Sequence, residues 1–230
     1  MQESIRKNTY GNFQSQLAKL DEDIKSCRIC QDCPKYFPAL PVEPRPVCIS
    51  SNKAQIAIAG QAPGLKVFET GIPFNDASGN RLRQWLDVTA QYFYNKDNFA
   101  IVPMGFCFPG YDSKGSDLPP RKECQQQWHA QLFCLMPQIK VVLAIGQYAQ
   151  KWHIKQGLGK NLTQTVSNWR DILRIKQPMG YHVLPLPHPS WRNTSWIKKN
   201  SWFSDELLPV LQKIVKNQDV DFMALTTNGS

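Results

Sequence analysis

The stretch Gln55-Ile56-Ala57-Ile58-Ala59-Gly60-Gln61-Ala62-Pro63-Gly64 decides the fold. Its first half is a short run of Ile and Ala ending in glycine, the pattern of a strand buried on both faces of a parallel sheet. Its second half sets a proline between glycines. The turn is therefore stiff, and its backbone can come close to a ligand. Three further runs resemble the first half: Phe99–Met104, Lys140–Gly146 and Tyr181–Leu186. Pro103 and Pro185 each lack a ladder donor, which places them at strand ends. Helical patterns fill the intervals. Arg81–Leu86 follows a turn over Asp76–Gly79, and Arg121–Met136 carries Cys124, Trp128 and Leu132 on one face. Gln147–Ile154 starts directly after a strand, and Phe203–Lys216 carries an apolar stripe that Pro209 bends. Strands alternating with helices predict an α/β fold, a mainly parallel sheet covered on both faces, in one domain over 27–217. Ahead of it, Phe13, Leu17, Leu20 and Ile24 form one stripe of a helical segment within 1–26. The tail from Gln218 is expected to fray.

Composition narrows the class. The 230 residues can bury a core without disulfides, and 42% hydrophobic with 11% aromatic content excludes a wholly disordered chain. No apolar run nears the roughly 20 residues that cross a bilayer. The polar opening MQESIRKNTY has no signal-peptide core, so a cytoplasmic protein with no membrane partner is expected. A balance of 27 Lys+Arg against 18 Asp+Glu leaves a net charge of +9, which suits a polyanionic partner.

In open parallel sheets, ligands gather at the carboxyl ends of the strands. After the first strand, Phe74 follows Gly71-Ile72-Pro73 in a loop, where an aromatic ring can stack on a flat base. The alternative is a plain strand-to-helix turn with a core phenylalanine. No Gly-Lys-Ser/Thr ending follows, which argues against a nucleotide triphosphatase. After the last strand, His188 lies between Pro187 and Pro189, on a rigid extended backbone that holds its imidazole in one place. His129, His153 and His182 read as structural or surface residues. Beyond His188, Trp191, Arg192, Trp196, Lys198, Lys199 and Trp202 interleave cations with rings. That mixture suits phosphates and unstacked bases, or else it is a solvated face over buried tryptophans.

Seven cysteines, an odd number with no export signal, argue against a disulfide framework. Pro34, Pro38, Pro41, Pro44 and Pro46 forbid a long helix or central strand over 27–48. That stretch is an irregular wrap held by something other than backbone ladders. Cys27-x-x-Cys30 with Cys107 and Cys124 offers four thiolates for a 4Fe–4S cluster or for zinc, and Cys33 is an alternative to Cys30. Cys48 and Cys134 read as core thiols.

Together these pieces resemble the uracil-DNA glycosylase superfamily, nearest to its iron–sulfur branch, family four, from about Cys27 to Phe203. Residues 60–74 resemble that branch's Gly-Glu-Ala-Pro-Gly motif and the Gly-x-Pro-Phe that follows. His188-Pro189-Ser190 resembles its His-Pro-Ser/Ala motif, and Cys107-Phe-Pro-Gly through Cys124 its cysteine segment. The resemblance implies a three-layer α/β/α sandwich around a four-stranded sheet. It also implies a monofunctional DNA glycosylase acting on uracil or a related deaminated base in damaged DNA; a monomer is expected. Residue by residue, Cys27, Cys30, Cys107 and Cys124 would hold a structural 4Fe–4S cluster. Phe74 would stack on the flipped base, with Gly60, Gln61 and Ala62 flanking the base and the attacking water. His188 would donate to the base carbonyl, and Ser190, Arg192 and Lys198 would grip the opened strand.

Two positions depart from the branch. Gln61 replaces a glutamate and cannot accept a proton, so Glu69 or Asp76 in the same loop is expected to supply the carboxylate. Pro103 replaces the asparagine that reads the edge of uracil and offers no donor or acceptor. These departures leave room for another preferred base, or for a weak or inactive DNA-binding member of the fold. A cysteine-based metal or redox protein is the third reading.

Overall fold

The computed structural model describes residues 2–217 and 220–226, with side chains from residue 13 onward. Four strands, β1 (Ile56–Ala59), β2 (Phe99–Ile101), β3 (Val141–Ile145) and β4 (His182–Leu186), form one parallel sheet in the order β2-β1-β3-β4. Ile56 pairs with Phe99 on one side and Val141 on the other, and Val141 pairs with His182. Every residue of β1, β2 and β3 is buried, which is why these strands read as unbroken apolar runs.

Alternate strand residues feed two apolar layers. Ala57, Ala59, Ala100 and Val142 face Leu17, Leu20 and Ile24 of α1 (Gln2–Lys25), together with Trp128 and Leu132. Ile56, Ile58, Phe99 and Val141 face Leu82, Trp85 and Leu86, with Trp169, Leu211 and Ile214 beyond. The expected three-layer α/β/α architecture with a four-stranded parallel sheet is therefore present. The chain leaves β1 toward β2 on one flank and returns to β3 on the other, so a crevice opens at the carboxyl ends near β1. No helix among the described residues is long and apolar enough to cross a membrane.

Several local expectations change. β2 stops at Ile101, before Pro103, but Pro185 lies inside β4, opposite Ala144. Because β4 is an edge strand, a residue without an N–H can turn that side outward. The turn over Asp76–Gly79 is instead the start of a helix, Ala77–Leu86, capped by Asp76. A π-helical turn, Phe203–Leu207, precedes Leu208–Lys216, which takes Pro209 in its first turn, where a missing N–H does least harm. Cys134 is exposed at a helix end, not a core thiol, whereas Cys48 packs against the core. The tail is not frayed over 220–226. Phe222 packs on the His182 ring at 4.5 Å, and Arg174 donates to the Thr226 hydroxyl and carbonyl at 2.8 and 2.6 Å. The rest of that expectation, at 218–219 and 227–230, lies outside the described residues.

Candidate active site

The loop after β1 is tied to the loop after β2. The carbonyls of Gly60 and Gln61 accept from the N–H groups of Met104 and Gly105, both at 2.9 Å. A short helix (Leu65–Thr70) follows and ends on Gly71 at φ 70°. The chain then reaches Phe74, which has φ 54°. For a residue with a Cβ this left-handed backbone is unfavourable by roughly 1–2 kcal/mol, so its surroundings must hold it. They do so at both ends. The Phe74 carbonyl accepts from Arg83 Nη1 at 3.2 Å and from the Tyr94 hydroxyl at 3.3 Å. The ring packs edge-on against Phe93 at 6.0 Å. Two glycines make room: a β-carbon on Gly79 would stand 1.7 Å from the Phe74 carbonyl oxygen, and one on Gly60 would stand 3.1 Å from the ring tip. Phe74 is thus both a core contact and a cavity wall.

His188 follows β4. Its carbonyl accepts from Asn193 Nδ2 at 2.8 Å. Burial lowers its pKa, and the Asp76 carboxylate opposes that shift only in part. The imidazole is therefore neutral at pH 7. Arg81 joins the two loops, donating from the Ala77–Leu86 helix to the Ser190 carbonyl at 2.8 Å. The Ser190 hydroxyl accepts from the Arg192 N–H at 3.1 Å.

These loops enclose an inner cavity of about 50 Å³ lined by Gly60, Gln61, Ala62, Phe74, Asp76, Pro103 and His188. It opens into a cleft of about 470 Å³, which it joins at Gln61, Asp76 and His188 and which Tyr111, Asp117, Ser190, Trp191 and Arg192 border. Trp191 is 75% exposed, with the Arg192 guanidinium 5.9 Å from its ring centre. The family model of the uracil DNA glycosylase superfamily matches residues 49–212, a span that contains all four strands and both loops. The chain belongs to the uracil DNA glycosylase superfamily.

In this superfamily member, two site residues expected from sequence stand apart from the cleft. Glu69 is exposed on Leu65–Thr70, and its backbone carbonyl, not its side chain, is engaged, by Arg45 at 2.7 Å. Lys198 is exposed on the helix Thr194–Lys199 and does not border the cavity or the cleft. Asp76 does border both, but its Oδ1 accepts from the Gly79 N–H at 2.7 Å as the helix cap. Trp196 and Trp202 are structural: they meet edge-on at 5.7 Å, and Trp196 Nε1 donates to Thr163 at 2.8 Å. Tyr111 and Asp117 border the cleft and were missed. Their only signal was their place after the second strand.

Cys27, Cys30, Cys107 and Cys124 of this superfamily member line one small apolar cavity with Leu40, Pro44, Pro46 and Phe106. Cys33 is exposed and does not line it. A hydrogen bond between Cys30 and Cys124 favours the thiolate of Cys30 and, with burial, keeps Cys124 protonated. Burial pushes Cys107 up to about 12. As placed, no three His, Cys, Asp or Glu side chains among the described residues are arranged to hold a metal ion. The superfamily match begins at residue 49, so it includes Cys107 and Cys124 but neither Cys27 nor Cys30.

Proposed function

We propose that this chain is a DNA glycosylase that hydrolyses the N-glycosidic bond of uracil or a related deaminated base flipped out of DNA. The observation that carries the reading is the convergence of Phe74, Gln61 and a neutral His188 on one cavity, which opens into a cleft edged by Trp191 and Arg192. Breaking the bond passes through an oxocarbenium-like sugar, and the bonding pair leaves with the base. Negative charge then grows on the base carbonyl. A neutral imidazole fixed by two prolines donates a hydrogen bond there without being reorganised. Phe74 stacks on the extruded base, and Arg192 meets the backbone phosphates. Pro103 forms part of the cavity wall without a polar side chain, so base choice rests on the main chain, Gln61 and His188.

The test is release of free base from single- and double-stranded DNA carrying uracil, hypoxanthine or xanthine. Release of at least one supports the reading. Salt-sensitive DNA binding with no release from any substrate would instead indicate an inactive DNA-binding member.

The four thiols around one cavity support placement in the iron–sulfur branch. Their number and chemistry suit a 4Fe–4S cluster, which spreads its thiolates more widely than a single ion does. Such a cluster would be structural, tying the wrap at Cys27 and Cys30 to the segment after β2 and to the helix at Cys124. Purified protein is expected to be brown, with broad visible absorption that bleaches on reduction. A colourless protein with stoichiometric zinc would overturn this assignment.

A further inference from the structure

Gln61 stands where the resemblance to the iron–sulfur branch implies a glutamate, so the first loop offers no carboxylate at that position. Of the two substitutes expected from sequence, Glu69 is off the cleft, while Asp76 borders it with its Oδ1 engaged as a helix cap. A third carboxylate reaches the site from a different part of the chain. The segment 110–118 folds into a tight hairpin, in which Tyr111 bridges Asp117 and the Leu118 N–H donates to the Gly110 carbonyl at 2.9 Å. The Asp112 carboxylate caps its turn, accepting from the Lys114 and Ser116 N–H groups at 2.8 and 2.9 Å. This hairpin aims Asp117 across the cleft at the first loop. Its Oδ2 lies 3.9 Å from where a β-carbon on Gly64 would stand. Gln61 Nε2 points to the neighbouring carbonyl of Leu118, at 3.5 Å. Among the described residues no hydrogen bond or ion pair engages the Asp117 carboxylate.

We propose that Asp117 is the catalytic carboxylate of this site, accepting a proton from the attacking water that Gln61 orients. This role rests on the glycosylase function proposed above. The water oxygen forms a bond to C1′ of the sugar as the C1′–N bond breaks. The bonding electrons leave with the base, and the water's proton passes to Asp117 and then to solvent. Three titratable or charged groups face Asp117 from other elements: Asp76 at the helix cap, His188 after β4, and Arg192 beyond it. Burial raises the pKa of Asp117, Arg192 lowers it, and Asp76 raises it, with burial dominant. The acid limb of activity should therefore lie above the ordinary 3.8 of an aspartate.

The experiment is single-turnover base release at several pH values by wild type, Asp117→Asn and Asp117→Glu, with DNA affinity measured separately. Asp117→Asn is expected to lose about 100-fold or more in rate, and its acid limb, at unchanged DNA affinity. Asp117→Glu is expected to recover part of the rate. A rate for Asp117→Asn within about threefold of wild type, or a loss seen only in DNA affinity, would overturn the role while leaving the glycosylase reading intact. No release by the wild type itself would overturn both.

Discussion

Phe74 is held in its left-handed backbone by a carbonyl that two donors grip and by a glycine with no room for a methyl group. Gly79→Ala is therefore expected to destabilise the fold by about 1–3 kcal/mol and to displace the ring from the cavity, seen as a lower Tm with slower base release. His188→Ala should keep the Tm within a few degrees, because the Arg81 anchor to Ser190 remains, and should slow release by about 100-fold. At this scale the sequence was informative where chemistry is local. A histidine between prolines has a restricted backbone, and a glycine-bracketed turn lets the chain come close to whatever lies beside it. Glu69 could not be judged in the same way. Whether its side chain meets the cleft depends on the rotational phase of a short helix that no periodic pattern announced. Asp117 was out of reach for a different reason: 56 residues separate it from Gln61, and only the folded sheet brings the hairpin across.

The proline-rich wrap is the element most dependent on something beyond the backbone. Most of its ties to the body run through side chains: the Lys35 and Tyr36 N–H groups donate to the Glu123 carboxylate at 2.9 and 3.3 Å, Arg121 to the Pro38 carbonyl at 2.6 Å, and Arg45 to the Phe68 and Glu69 carbonyls at 2.6 and 2.7 Å, beside the backbone bond from the Val47 N–H to the Phe106 carbonyl at 2.7 Å. On the 4Fe–4S assignment proposed above, Cys107→Ser or Cys124→Ser is expected to lose the cluster's visible absorption and to open 27–46 to limited proteolysis, while a fragment containing the sheet resists cleavage. Next to it in importance is the segment after His188. Arg192→Ala should weaken DNA binding and flatten its salt dependence by about one unit of slope, with little change in Tm, because Arg192 is exposed. The strands were legible because burial on both faces leaves continuous apolar runs. Trp196 and Trp202 were ambiguous because rings that cover a core and rings that await a ligand have the same composition. Their edge-on contact and the Thr163 bond decide the matter.

The molecule as a whole carries +9, yet among the described residues Arg192 alone of the Lys and Arg side chains borders the cleft, beside Asp76 and Asp117. Acid acts on its stability through buried histidines. Burial lowers His129 to about 4 and lowers His153 well below its usual 6.5. The unfolded chain takes up protons that the folded one refuses, so stability should fall as pH drops from about 6.5 through about 4. Urea midpoints across that range test this, and His129→Gln should flatten the curve. The contacts made by 222–226 form late in synthesis relative to the sheet. Phe222 packs on the His182 ring and Thr226 accepts from Arg174, so the first residue of β4 and the helix before it lack these contacts until 222–226 emerge. At a synthesis rate of about 5–20 residues per second, roughly 2–8 s pass between the making of β4 and that moment. For that interval the His182 ring stays uncovered and Arg174 unanchored, and residues 222–226 act as the latch that closes over them.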